Sequence, residues 1–458
     1  MVKNFSFVAL ILATSICNAQ LSPAITSWLQ NNTIFGSYYT AASGSTPIPM
    51  TVLANCQEVS YSSSWVYVKT RGIPIYPTGV FTGDGNRNLA GDQNAIYRFP
   101  LVPAKNTGTL VSTSPGNNGV FINGVSIFDY QDGVKYLSTA VNGICGGPGN
   151  PQCPGGMSYV SPWNRDAIPA ERKGFDCAKG HPAGTNYHHH QNPSAFKHDG
   201  KTSISWSDIC STYNSDALYT IDTSKHSPLL GYAYDGFPIY GAYAYKNLDG
   251  TGGIVRILSS YSLKNHTTRT NGPNVGQTIG TQTFFNGYFR EDYEYIASTD
   301  PERLDLSNGR FCVTPEYPNG TYAYFTTVNA DHSSAYPYII GPTFYGTRTA
   351  SKVTGINEAV TVYTAGTTGV SNLDLNNFEI NIFPNPSEEF IAVQINGLNK
   401  ENLKIEMFNF EGKLIQTASL NAGATLSYLD IRTVYAGSYL VKISGAKTSS
   451  NHKIVISK

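Results

Sequence analysis

The sequence predicts a mainly β protein: a β-rich central domain with long, disulfide-tied loops, followed by a small C-terminal β-sandwich. Three observations predict it. Tyrosine numbers 31, glycine 44 and proline 25, a composition that suits aromatic strands and frequent turns better than helices. Apolar residues come in short runs bounded by Gly, Pro, Asn and Asp, as strands do. Near the C-terminus such runs alternate cleanly, with the period of half-buried strands.

The elements follow in chain order. Met1-Val2-Lys3-Asn4 carries one positive charge, and Phe5 to Ile16 is an apolar run too short to span a bilayer. Cys17-Asn18-Ala19 then offers small residues before a cleavage ahead of Gln20. Residues 1–19 read as a secretory signal peptide. A lipoprotein cysteine at Cys17 fits less well, because Thr14-Ser15-Ile16 makes a poor lipobox. No later segment is long and apolar enough to be a membrane-spanning helix. With 31 basic and 31 acidic residues the formal charge is zero, which argues against a nucleic-acid partner.

Six cysteines follow the leader: Cys56, Cys145, Cys153, Cys177, Cys210 and Cys312. An even number in an exported chain predicts that all are oxidised. Cys145-Gly-Gly-Pro-Gly-Asn-Pro-Gln-Cys153 is a turn-rich loop whose ends can meet, so these two are expected to pair. Spacing leaves the other four unassigned. No Cys-x-x-Cys occurs, which argues against a structural zinc site.

Val66–Thr70, Ile73–Tyr76, Ala95–Phe99 and Gly119–Val125 read as short strands, and the Trp-, Tyr- and His-dense stretch from Pro162 to Tyr345 as irregular loops. The central domain is expected over residues 20–346. Residues 347–376, rich in Thr, Ser, Gly and Ala and with a core-like pattern only in Ala359–Tyr363, read mostly as a linker. Over 377–458, the segments Phe378–Phe383, Phe390–Ile395, Leu403–Phe408, Gly437–Ile443 and Lys453–Ile456 read as strands of one sandwich.

The chemistry centres on Tyr187-His188-His189-His190, which holds three of only nine histidines. If the run is extended, His188 and His190 face one way, and Tyr187 and His189 the other. Two imidazoles on one face make half of a transition-metal site or a proton-transfer pair. His181, reached through a short glycine-containing turn, is the third candidate ligand, so His181, His188 and His190 would hold a divalent transition metal. His188, His190 and Asp235 are the candidate catalytic residues, with Asp176 and His226 in reserve. The competing reading hydrogen-bonds these imidazoles in an aromatic core beside Tyr187 and Tyr240.

Other features have plain alternatives. Asp235-Gly236 is a strong turn signal. Asp305 and Arg310 either meet in the site or form a surface salt bridge. Tyr322 and Tyr324 either stack on sugars or pack inward. The sequence has no Gly-x-Ser-x-Gly elbow, His-Glu-x-x-His helix, P-loop or dinucleotide fingerprint in a strand–helix context. Glycoside hydrolysis by paired carboxylates stays open.

Two resemblances follow from these residues. Ile382-Phe383-Pro384-Asn385-Pro386-Ser387, Phe410-Glu411-Gly412-Lys413, Gly437-Ser438-Tyr439 and Lys453-Ile454-Val455 resemble the C-terminal sorting domain of the type IX secretion system. That resemblance implies the secretion machinery as a partner, removal of the domain on export, and surface attachment or release. Phe175–Pro182, Tyr187–Phe196, His226–Gly241, Leu304–Phe311 and Tyr317–Phe325 with Tyr336–Gly341 resemble, in order, the YHYH-domain family of extracellular bacterial proteins. The likeness is strongest over about residues 160 to 346. The motif naming that family has tyrosine where this chain has His189, on the face opposite His188 and His190. The resemblance implies a fold and a site, and no reaction. Cargo of this secretion route suggests extracellular polysaccharide as the setting, for breakdown at a metal-dependent or acid–base site. The alternative function is non-enzymatic carbohydrate binding or surface adhesion.

Overall fold

The computed structural model describes residues 21–40, 43, 46–81, 88–193, 221–364, 378–397, 402–409, 412–445 and 449–457. The expected signal peptide with Cys17, the histidine block beyond Pro193, Cys210 and residues 365–376 of the expected linker lie outside the described residues. The chain divides into two units, Met1–Tyr363 and Thr364–Lys458.

Alternation builds the first sheet of the larger unit. In Ala95–Pro100 every second residue is buried, and Tyr97 and Phe99 are each only 2% exposed. This strand pairs antiparallel with Trp65–Thr70, which pairs with Cys56–Tyr61. Ser351–Val353 closes one edge and Thr361–Tyr363 the other. These last two strands lie within the span 347–376. Their weakly apolar sequences are recruited by the free edges of a sheet, where backbone pairing rather than side-chain pattern supplies the drive.

The second sheet has eight strands, in the order His181–Ala183, Asn186–His189, Ser126–Phe128, Asn117–Phe121, Leu229–Ala233, Pro238–Tyr240, Thr321–Phe325 and Gly309–Cys312. It is mixed: Asn186–His189 runs parallel to Ser126–Phe128, and Pro238–Tyr240 parallel to Thr321–Phe325. Leu229–Ala233 is buried at every position, as a strand covered on both faces must be. The two sheets share one core, in which Trp28 and Phe99 pack on Tyr232, and Tyr97 on Tyr234. A fully buried aromatic such as Phe99 contributes about 1.5–3 kcal/mol of burial energy. A smaller cluster, with Val134, Ile144, Trp163, Phe284 and Phe289, lies under a three-stranded sheet of Gln131–Tyr136, Ile144–Cys145 and Asn164–Asp166.

Cys145 and Cys153 are disulfide-bonded, as their loop predicts. Cys177 is also disulfide-bonded. Cys56 and Cys312 are free thiols, contrary to the expectation that every cysteine is oxidised. Both are buried core residues, and Cys56 is placed as a small apolar group with Ile122 O as its acceptor.

The C-terminal unit pairs a three-stranded sheet (Phe378–Phe383, Phe390–Gly397, Leu426–Asp430) with a four-stranded one (Leu414–Leu420, Leu403–Phe408, Gly437–Ser444, Ser449–Ile456). Ile391, Val393, Ile405, Met407, Val441, Ile443 and Ile454 fill the core between them. Leu414–Leu420 and Leu426–Asp430 escape the sequence reading, because their apolar residues are sparse. Among the described residues, no helix is long and apolar enough to cross a membrane.

Candidate metal centre

The loop before the histidines is pinned by Asp176. Its carboxylate accepts from the backbone N–H groups of Gly79 (3.0 Å), Ala178 (2.9 Å) and Gly180 (3.1 Å), and from Tyr187 Oη–H at 2.8 Å. Lys179 takes the left-handed conformation (φ 63°) that turns the chain back into the His181 strand. Gly180 is required by close approach: a Cβ there would lie 2.5 Å from the Tyr187 hydroxyl and 2.8 Å from the His189 ring. Tyr187, the first residue of the histidine run, thus holds the loop that delivers His181.

Strand pairing does the rest. His181 sits directly opposite His188 across an antiparallel pair. His190 follows the end of the same strand. The three Nε2 atoms converge, His188 to His190 at 3.0 Å and His181 to His190 at 3.4 Å. Glu171 Oε2 joins them, 3.3 Å from His181 Nε2 and 3.1 Å from His190 Nε2. His181, His188 and His190 form a group able to hold a metal ion, with one ligand atom from each within 4.8 Å of the others.

The far sides of the rings fix their orientation. His188 Nδ1 lies 2.9 Å from Asn186 O, and His190 Nδ1 bonds Asp129 O. A carbonyl only accepts, so in both rings Nδ1 carries a hydrogen and Nε2 is turned inward toward the cluster. Burial holds His188 well below the usual histidine range, with the neighbouring His190 and His181 adding to the effect. Burial raises the Glu171 carboxyl, but the His181 and His190 rings beside it outweigh that and hold the group below its ordinary value. Lone pairs and a carboxylate oxygen aimed at one point repel each other unless a cation or proton sits among them. Phe128 stacks on His188 at 3.7 Å and Phe175 stands edge-on to His181, which locks both rings.

The group opens on a cleft of about 1050 Å³, whose walls include Phe128, Asp132, Arg165, Lys173 and Tyr288. Arg165 Nε donates to Asp132 Oδ2 at 2.5 Å. Burial pushes the Asp132 carboxyl up to about 6, against the opposing charge of Arg165.

The other candidate residues lie elsewhere. His189 leaves the cluster, as alternation predicts. Its Nε2 is 2.9 Å from Tyr76 Oη, and its ring stands against Phe121 and Tyr187. Asp235 is not brought to the histidines. It is fully buried, and its carboxylate accepts from Tyr324 Oη–H (2.5 Å), Gly346 N–H (2.8 Å) and Phe237 N–H (3.3 Å). The Asp-Gly turn, with Gly236 at φ 89°, aims it inward as a clamp on Gly346 rather than toward the cleft. His226 is bonded to Ser227 O and packs on Tyr240. Asp305 accepts from Tyr322, Ser307 and Gly309, while Arg310 donates to the carbonyls of Tyr245, Lys246 and Pro301, so the two are not partners. Tyr322 and Tyr324 are core residues, 2% and 0% exposed, not a sugar platform.

Sequence reasoning missed Glu171. It is the last residue of a five-residue helix, Ala167–Glu171, capped by the Asp166 side chain. No spacing rule links it to the histidine run. The cap itself, Asp-Ala-Ile-Pro-Ala-Glu, is the only local signal that a helix end lies there.

No curated protein matches the chain. Two solved structures share a short part of it. One is the crystal structure of dimeric latent PorU from Porphyromonas gingivalis, at 17% identity over 17% of this chain and 9% of that one, with a TM-score of 0.15. The other is the BSP domain of biofilm associated protein, at 13% identity over 17% of this chain and 14% of that one, also with a TM-score of 0.15. The chain thus spans a small fraction of either, and neither bears on its activity. Residues 381–457 match the secretion system C-terminal sorting domain. The protein is therefore type IX cargo, secreted or attached to the outer cell surface. The YHYH protein model matches residues 96–336, more than half of the sequence and the span that holds Glu171 and the three histidines, and the chain belongs to the YHYH protein family.

Proposed function

We propose that this secreted protein holds a divalent transition metal through Nε2 of His181, His188 and His190 with Glu171 Oε2, and that the site acts on an extracellular polysaccharide. The observation that carries the reading is the spacing of the donors, 3.0 to 3.4 Å between neighbouring atoms. A tetrahedral site with metal–nitrogen bonds of roughly 2.0–2.1 Å has edges of about 3.3 Å. Three neutral imidazoles and a carboxylate also form a donor set that zinc and its neighbours accept.

A bound metal would supply Lewis acidity and lower the pKa of a water on it. The chain's own residues do the positioning. Asn186 O and Asp129 O orient two rings, and Phe128 and Phe175 exclude water from their faces. Glu171, only partly buried (side chain 19% exposed), is the ligand closest to solvent and the one a substrate oxygen would displace or a proton would reach. Arg165, held by Asp132, puts a positive charge on the same cleft wall.

The second reading, a non-enzymatic carbohydrate-binding or adhesion protein, is favoured by the cleft's size alone. Elemental analysis of the purified full chain tests the first. About one equivalent of zinc, copper, nickel, cobalt, iron or manganese is expected, lost in His190→Ala and reduced in Glu171→Gln. A metal-free parent that takes up none on dialysis against these ions would leave the second reading.

A further inference from the structure

A second cleft, of about 620 Å³, shares Pro169 and Phe285 with the one over the histidines. Its charged lining, among the described residues, is Arg172, Arg256 and Arg303, with no carboxylate. Arg256 Nη1 donates to Val328 O and Arg303 Nη1 to Ser259 O, each at 2.8 Å. These backbone acceptors fix the guanidinium groups without neutralising them. Arg172 Nε is buried and has no hydrogen-bond partner among the described residues. No ion pair among the described residues involves any of the three.

Three like charges facing one cavity repel each other, and an unmatched buried N–H costs about 1–3 kcal/mol. An anion relieves both. The planar guanidinium fork suits two-oxygen groups, carboxylate or sulfate, better than a single oxygen. The rest of the lining points to a sugar as the carrier. Tyr261 and Tyr293 are half-buried in the lining, Tyr293 with one face stacked on Tyr336 and the other left for a pyranose ring, and serine and asparagine side chains offer partners for hydroxyls.

We propose that this cleft binds an anionic polysaccharide through its carboxylate or sulfate groups. The proposal rests on the charge of the cleft and not on metal at the histidines. Calorimetric titration of the full chain with polygalacturonate, dextran sulfate and uncharged dextran tests it. Saturable binding of at least one polyanion is expected, weakened by salt, with none for dextran. Which polymer binds separates carboxylate from sulfate. Arg256→Gln and Arg303→Gln should each weaken binding about tenfold or more, as loss of a charge-assisted pair does. Arg303 is exposed, so its variant carries the test if Arg256→Gln fails to fold. Polyanion binding should be the same with and without a chelator. The proposal is overturned if neither polyanion binds saturably, if Arg303→Gln binds like the parent, or if poly-L-glutamate binds as tightly as the polysaccharides.

Discussion

Replacing the histidines one at a time separates a metal centre from a packed core. His188 and His190 converge at 3.0 Å between Nε2 atoms, while His189 turns to Tyr76. His188→Ala and His190→Ala each remove one of four donors. Loss of a mere outer partner of a metal ligand weakens binding about 10–100-fold, so loss of a ligand costs at least the upper figure. A metal present at a hundred times its dissociation constant stabilises the fold by about 2.7 kcal/mol, and after a 100-fold weakening by about 0.4 kcal/mol. The parent should therefore lose a few degrees of melting temperature when a chelator is added. Both alanine variants should lose almost none. His188→Ala also removes a ring stacked on Phe128 at 3.7 Å, so its absolute melting point drops for a second reason. The difference with and without chelator cancels that term. His189→Tyr, on the opposite face, should keep the parent's metal content and chelator response. Differential scanning fluorimetry and elemental analysis on the four proteins give the answer. The reasoning is refuted if the chelator shifts the parent and His188→Ala equally, or if His189→Tyr loses the metal while the alanine variants keep it.

Three further outcomes are expected. Asp235→Asn puts an amide among three donors that need acceptors, so it should cost about 2–3 kcal/mol in urea unfolding, yet leave metal content unchanged; loss of metal would return Asp235 to the site. Non-reducing peptide mapping should recover Cys145 joined to Cys153, a bridge contributing roughly 2–4 kcal/mol, with Cys56 and Cys312 alkylated only after unfolding; a bridge at either free cysteine contradicts the structure. Burial pushes Asp166 up to about 8, although Tyr338 and Ile168 N–H bond its carboxyl. Between about pH 4 and pH 8 the folded chain thus holds a proton that the unfolded chain, with an aspartate near 3.9, has lost. That stability is present at low pH and fades as pH rises through 8. Above pH 7, His188 and His189 are neutral in both states and do not interfere. The urea midpoint should fall from pH 7 to 8.5 and flatten in Asp166→Asn; a midpoint that rises in the parent argues against it.

Local pattern made several features legible. Alternation in Ala95–Phe99 and Leu403–Phe408 announces strands, and the same period separates His188 and His190 from His189. Those readings need only neighbours in the chain, because a strand's two faces are set by backbone geometry. The Cys145–Cys153 pair is similar, as a short turn-rich loop brings its ends together without help. Motif order over longer spans placed the sorting domain and the YHYH region.

What the tertiary structure decided is everything that depends on a distant partner. Ser351–Val353 becomes a strand because the sheet edge formed by residues 95–100 accepts it, not because its own residues demand it. Asp235 and Asp305 look alike as turn aspartates with functional promise, and only their donors, Tyr324 and Tyr322, show that both are clamps. Cys56 and Cys312 are free thiols enclosed by core, with no disulfide partner among the described residues. Glu171 is the sharpest case. Its place beside three imidazoles follows from a helix stop, a loop pinned by Asp176 and Tyr187, and an antiparallel register that sets His181 against His188. Each step is a contact between residues far apart in sequence, and a one-dimensional pattern carries no term for such contacts.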